Sequence, residues 1–166
     1  MVKLPNGLSE IHSVFGIPDY QIDENGLVQV GPFWKSKMTI IRVPFEMKLD
    51  WNPSFTSSEI ICHKFVANDL LDIFEEISNK VGLSSSVESY GGCFVPRMGR
   101  YERKKLSIHT WGIAVDLNGC ANEYGKYGNM SKFVVDIFEE HNWKWGGLLD
   151  PPDGSHFQYA DGYFVD

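Results

Sequence analysis

Between Gly112 and Leu117 the large apolar residues Ile113, Val115 and Leu117 alternate with Ala114 and Asp116. A period of two marks an extended strand, because successive side chains of a strand point to opposite faces. The alternation sets Asp116 on the face opposite the large apolar residues. Any fold open to this chain must cover one face of the strand and give a carboxylate polar company on the other.

The rest of the chain does not repeat one unit. Thr39 to Met47 is rich in β-branched residues and reads as a strand, with Pro44 marking a sheet edge or a bulge. Ser57-Ser58-Glu59 reads as a helix start. Ile61, Phe65, Leu70, Phe74 and Ile77 then recur at helical spacing to about Asn79, and Gly82 lies where a helix would stop. A second helix is predicted from a cap at Ser131 to His141, with Phe133, Val134, Ile137 and Phe138 facing inward. Ser86 to Tyr90 and His156 to Tyr159 read as further short strands. Helices and strands do not alternate regularly, so the predicted class is α+β: a small, mainly antiparallel sheet flanked by helices. With 166 residues and no linker-like tract, the expectation is a single domain over 1–166, its chemistry gathered in about 86–160 and with no separate binding domain.

Composition narrows the partners. A hydrophobic share of 43% argues for a packed core, and a formal net charge of −7 disfavours phosphate backbones, so no nucleic-acid partner is expected. No apolar run reaches the roughly 20 residues of a membrane span, and none near Met1 reads as a secretory signal. Synthesis in the cytoplasm and no membrane insertion are the expectations. The three cysteines, Cys62, Cys93 and Cys120, are odd in number and far apart, which reads as reduced thiols.

Two segments carry unusual chemistry. In Ser107-Ile108-His109-Thr110-Trp111-Gly112-Ile113-Ala114-Val115-Asp116, a histidine precedes the strand that bears the carboxylate. In Asp153-Gly154-Ser155-His156-Phe157-Gln158, a carboxylate lies three residues before another histidine. A hydrolytic zinc site takes three nitrogen or oxygen ligands and keeps one position for water. His109, Asp116 and His156 are one such set, leaving Asp153 as a base. Spacing alone also allows the plainer alternative of hydrogen-bonded core or loop histidines.

The patterns S-x-H-x-x-G-x-A-x-D, W-x-W-G-G and D-x-x-H-F resemble the M15 family of zinc D,D-carboxypeptidases and L-alanyl-D-glutamate endopeptidases, which includes phage endolysins. Here they are Ser107 to Asp116, Trp143 to Gly147 and Asp153 to Phe157, and Tyr90 to Arg97 is similar to the segment that delivers the family's arginine. The resemblance implies a hedgehog/DD-peptidase-like fold and one zinc per chain on His109, Asp116 and His156. It implies Asp153 as catalytic carboxylate where many relatives have Glu, Arg97 as oxyanion stabiliser with Arg100 the alternative, and Ser107 as a substrate contact or a loop-orienting hydroxyl.

The function so implied is hydrolysis of an amide bond in the peptidoglycan stem peptide. The expected form is an L-alanyl-D-glutamate endopeptidase of the endolysin type, a monomer reaching the cell wall after release. The alternatives are a D-alanyl-D-alanine carboxypeptidase or dipeptidase, and a non-catalytic hedgehog-like zinc module. A purely structural site needs neither Asp153 nor Arg97, which argues against the last. Asp150 is a poorer base than Asp153 because Pro151-Pro152 stiffen the chain between it and His156. His12, His63 and His141, with the pairs Glu75-Glu76 and Glu139-Glu140, read as structural or solvated.

Overall fold

The computed structural model describes residues 3–80 and 86–166. Helix α1 (Gly7–Phe15) buries Ile11 and Phe15, one turn apart. Strands β1 (Tyr20–Ile22) and β2 (Val28–Val30) form a small antiparallel pair. The turn between them is closed by Asp23, whose carboxylate accepts from the backbone N–H of Asn25 and Leu27, each at 2.9 Å. The short α2 (Pro32–Lys35) seats Trp34, whose indole N–H donates to the Thr110 carbonyl at 2.8 Å.

Strands β3 (Met38–Leu49) and β4 (Asn52–His63) make a long antiparallel hairpin. Its register slips between Arg42 and Met47, so Pro44 lies in a bulge. Here one expectation fails: Ser57–Glu59 belongs to β4 and starts no helix. Ile60 and Cys62 are buried while Ile61 between them is 45% exposed, which is the period of a strand. An Arg42–Glu59 ion pair at 2.8 Å joins the two strands. Helix α3 (Ala67–Asn79) begins later and buries Leu70, Ile73, Phe74 and Ile77. Ile61 and Phe65 precede it, so their helical spacing to Leu70 joins residues of different elements. Gly82 lies outside the described residues.

The remaining elements are β5 (Ser89–Gly92), β6 (Ala114–Leu117), α4 (Lys132–Glu140), β7 (Lys144–Trp145) and β8 (His156–Gln158). A six-stranded sheet runs in the order β4-β3-β5-β6-β8-β7. Among the described strands of this sheet only β3 and β5 pair in parallel, through Lys48–Ser89 and Leu49–Tyr90, so the class is α+β with a mainly antiparallel sheet, as the sequence predicts. The strand predicted from Ser86 starts at Ser89.

One face of the sheet is covered by α3 and α4. Phe138 of α4 stacks on Phe157 of β8 at 4.2 Å and meets Phe74 of α3 edge-on at 6.4 Å. Phe157 pairs with Val115 of β6, so the apolar positions of both strands face the helices. Asp116 and His156, next in sequence and paired with each other, point to the opposite face. Within α4, Val134, Ile137 and Phe138 are buried as predicted, but Phe133 is 64% exposed and Val135 turns inward. Trp143 ties α4 to α3: its ring packs on Phe138 and Tyr159, and its N–H donates to Asp69 at 2.7 Å. Among the described residues no helix is long and apolar enough to cross a membrane.

Candidate metal centre

His109 sits on a 3₁₀ turn, Ile108–Trp111, that delivers the chain into β6. Ser107 caps the turn, its Oγ accepting from the His109 N–H at 3.2 Å. The turn ends at Gly112 with φ 65°, a left-handed conformation that favours glycine. A Cβ there would lie 2.9 Å from the His63 backbone nitrogen, which explains the glycine three residues after the histidine. Thr110 Oγ1 donates to the Arg97 carbonyl and accepts from the Arg97 N–H, both at 3.2 Å, locking the Tyr90–Arg97 segment onto this turn.

Hydrogen bonds fix which ring nitrogen of each histidine faces the site. His109 Nδ1 is 3.0 Å from the Cys93 carbonyl, which can only accept, so Nδ1 carries a proton and Nε2 looks inward. His109 Nε2 is buried without a hydrogen-bond partner, although Asp116 Oδ1 lies at 3.3 Å and Asp166 Oδ1 at 3.2 Å. For His156 the order is reversed. Its Nε2 is 2.9 Å from Gln158 Oε1, and the Gln158 amide donates to the carbonyls of Ala160 and Tyr163 at 3.0 and 3.1 Å. Gln158 Oε1 therefore accepts, and His156 Nδ1 faces Asp116 Oδ1 at 3.0 Å.

In these tautomers two imidazole lone pairs and two carboxylates converge, and only positive charge at their centre makes that favourable. The electrostatics of the cluster agree. Burial pulls the His109 pKa down, but the Asp116 and Asp166 carboxylates outweigh it and raise it to about 9. His156 is likewise raised against burial by Asp116. Burial pushes Asp116 up, yet the two imidazoles hold it well below the usual carboxylate range. A metal ion would meet the same demand. The donor atoms of His109, Asp116, His156 and Asp166 all lie within 4.8 Å of one another. Bonds of about 2.0–2.2 Å in a tetrahedron give ligand–ligand edges of about 3.3–3.6 Å, near the contacts above. The residues fit a metal ion.

Asp153 lies beside this cluster and is only 5% exposed. Burial raises its pKa; His156 opposes the rise, while the Asp116 and Asp166 charges add to it. Its turn is held from below by the Trp143-to-Gly147 segment. The Trp145 indole N–H donates to the Gly154 carbonyl at 2.8 Å, and the Asp153 backbone N–H to the Gly146 carbonyl at 2.9 Å. A Cβ on Gly146 would stand 2.6 Å from the Asp153 carbonyl oxygen, so glycine is what lets the two loops touch. Asp150, by contrast, is exposed.

Ser107 is wholly buried, and its hydroxyl accepts from the His109 N–H, the arrangement of a loop-orienting residue. Arg97 ion-pairs with Asp166, and Arg100 reaches the other carboxylate oxygen of Asp166 at 3.4 Å. Both arginines thus point toward the same group, and Arg97 is the less exposed at 20%. Two clefts flank Asp153. One, of about 280 Å³, runs past His156, Asp166 and Asp150; the other, of about 510 Å³, runs past Asp116, Arg100 and Trp51. Tyr101 and Tyr124, stacked at 4.0 Å, line both. Sequence reasoning missed Asp166, Gln158 and this tyrosine pair. Only Gln158 left a signal: it is two residues after His156 and so on the same strand face.

Residues 101–159, just over a third of the chain, match the M15 family model described as D-alanyl-D-alanine carboxypeptidase. No curated protein and no solved structure gives a significant match. The matched stretch contains Ser107, His109, Asp116, Asp153 and His156 and leaves out Arg97 and Asp166, so the similarity to M15 peptidases covers the histidine and aspartate cluster but not its arginines.

Proposed function

We propose that the chain is a zinc-dependent peptidase that hydrolyses an amide bond of the peptidoglycan stem peptide, an L-alanyl-D-glutamate endopeptidase of the endolysin type that meets the wall after release from the cytoplasm. The observation that carries this reading is the convergence of the inward nitrogens of His109 and His156 on Asp116, with the buried Asp153 alongside. The M15 match supports the peptidase class. Clefts on both sides of Asp153 suit a peptide that continues past the scissile bond in both directions.

His109, Asp116 and His156 would hold the zinc, whose Lewis acidity makes water acidic enough to attack at neutral pH. Asp153 takes the proton of the attacking water and returns it to the leaving amine. Its raised pKa brings it nearer the operating pH, where a proton carrier works best. Arg97, or Arg100, offsets the negative charge that grows on the carbonyl oxygen, commonly the largest catalytic contribution.

A second reading, D-alanyl-D-alanine carboxypeptidase, is favoured by the description of the matching family and by two arginines placed to take a terminal carboxylate. Mass spectrometry of defined peptidoglycan fragments, digested with and without chelator, separates the two. An endopeptidase releases the stem peptide at its L-alanine; a carboxypeptidase removes one D-alanine. Chelation should stop either reaction and zinc restore it. Hydrolysis that persists in the chelated protein would remove the metal from the mechanism.

A further inference from the structure

Asp166 stands out because the carboxylate of a residue outside the recognised motifs reaches the centre of the site. Its side chain is 9% exposed, and Oδ1 is 3.2 Å from the inward nitrogen of His109. Arg97 pairs with the same oxygen and Arg100 with the other. The placement is built rather than incidental. The Asp166 carbonyl accepts from the Arg100 N–H at 2.6 Å, and the Val165 carbonyl from the Ile108 N–H at 2.8 Å. The Tyr163 hydroxyl donates to the Leu106 carbonyl at 2.7 Å, and Val165 is buried. Residues 163–166 are thus laid along the segment that leads into the His109 turn.

We propose that Asp166 is a fourth, displaceable donor to the metal, and that it occupies Arg97 and Arg100 until a carboxylate of the substrate takes its place. The inference rests on the metallopeptidase reading above. Three protein ligands leave a hydrolytic metal one open position. With Asp166 donating, that position is closed and the site is at rest. When Asp166 withdraws, two guanidinium groups are left facing the vacated position, and guanidinium pairs well with carboxylates. The geometry therefore points to a substrate that carries a carboxylate next to the bond it offers, and to a site that stays shut until such a group arrives.

Cobalt(II) is the probe, because its visible absorption reports the ligand set without any need for turnover. Chelator competition and absorption spectra are recorded for the parent, Asp166→Ala and Asp166→Asn, each first shown to keep the parental circular dichroism. Asp166→Asn keeps the shape of the side chain and one acceptor oxygen for an arginine while removing the anionic donor, and the unchanged circular dichroism shows that a loss there does not come from a collapsed fold. Both variants should bind cobalt about 10-fold more weakly or worse, with an altered visible band. Acetate should restore the parental spectrum in Asp166→Ala and leave the parent unchanged. Parental affinity and spectrum in both variants would overturn the inference and leave the metallopeptidase reading standing. So would weakened binding that acetate does not reverse, since Asp166 would then act only through packing. A parent that binds no metal would overturn both.

Discussion

Replacing Gly146 with alanine puts a methyl group where the backbone of the Asp153 turn already lies. The new Cβ would stand 2.6 Å from the Asp153 carbonyl oxygen, 3.2 Å from Asp153 Cβ and 3.3 Å from His156 Cβ. An ordinary contact begins near 3.4 Å, so the carbonyl must retreat by roughly 0.8 Å, and a backbone atom cannot swing aside as a side-chain tip can. Overpacking of this kind costs about 1–3 kcal/mol. For a chain of this length that corresponds to a melting-point drop of about 2–12 °C. The catalytic loss should be larger in proportion, because the atoms pushed belong to the assigned base and to one metal-facing histidine. A displacement near 1 Å can cost about 10²-fold in rate. Differential scanning calorimetry and turnover on stem-peptide fragments test the two parts separately. A Gly146→Ala protein that melts and turns over like the parent would refute the claim that this glycine sets the position of Asp153.

Asp153→Asn should keep fold and metal content while hydrolysis falls by about 10²–10⁴-fold, and Asp150→Asn should change the rate little; parental turnover in Asp153→Asn would exclude it as the base. Gln158→Leu removes the acceptor that orients His156 and strands two backbone carbonyls. Metal affinity measured by chelator competition should drop about 10–100-fold, and an unchanged value would show that His156 is oriented by other means. His63 lies away from the cluster, and burial, aided by the charges of Lys37 and Lys64, lowers its pKa from 6.5 to about 4. The unfolded chain therefore binds the extra proton first. The His63 contribution to stability is intact above about pH 6.5, is lost as pH falls toward 4, and then levels off. Melting curves should show a shallower acid slope for His63→Gln than for the parent across that window, and equal slopes would contradict the assignment.

The site was more legible in the sequence than the scaffold. Asp116 could be placed on a polar strand face because alternation survives in a strand of only four residues. The turn before His156 follows from local chemistry that short motifs preserve, whereas the 3₁₀ turn ending at Gly112 is seen only in the structure. Ser57–Asn79 was harder. Apolar residues of β4 and α3 happened to fall at helical spacing, and only the cross-strand partner of Glu59 shows which period is real. Phe133 went wrong because a helix stripe read without its neighbours does not say where the buried arc ends. Asp166 could not have been found by pattern at all. It reaches the cluster through tertiary hydrogen bonds from Ile108 and Arg100, and nothing in Tyr163-Phe164-Val165-Asp166 resembles a ligand motif.

The His109 turn has one further property, which concerns autonomy. Two of its backbone carbonyls and its Trp111 indole are satisfied by residues of the other half of the chain. The Trp34 indole donates to the Thr110 carbonyl, the His63 N–H to the Gly112 carbonyl, and the Trp111 indole to the Gly16 carbonyl. Cutting out residues 101–159 would orphan these groups, at about 1–3 kcal/mol each, and would part β6 from its place beside β5. The recognisable third of the sequence behaves as a keystone, whose shape is meaningful only while the flanking stones press on it. Grafting that stretch onto another scaffold would carry the ligand residues across without the geometry that makes them a site.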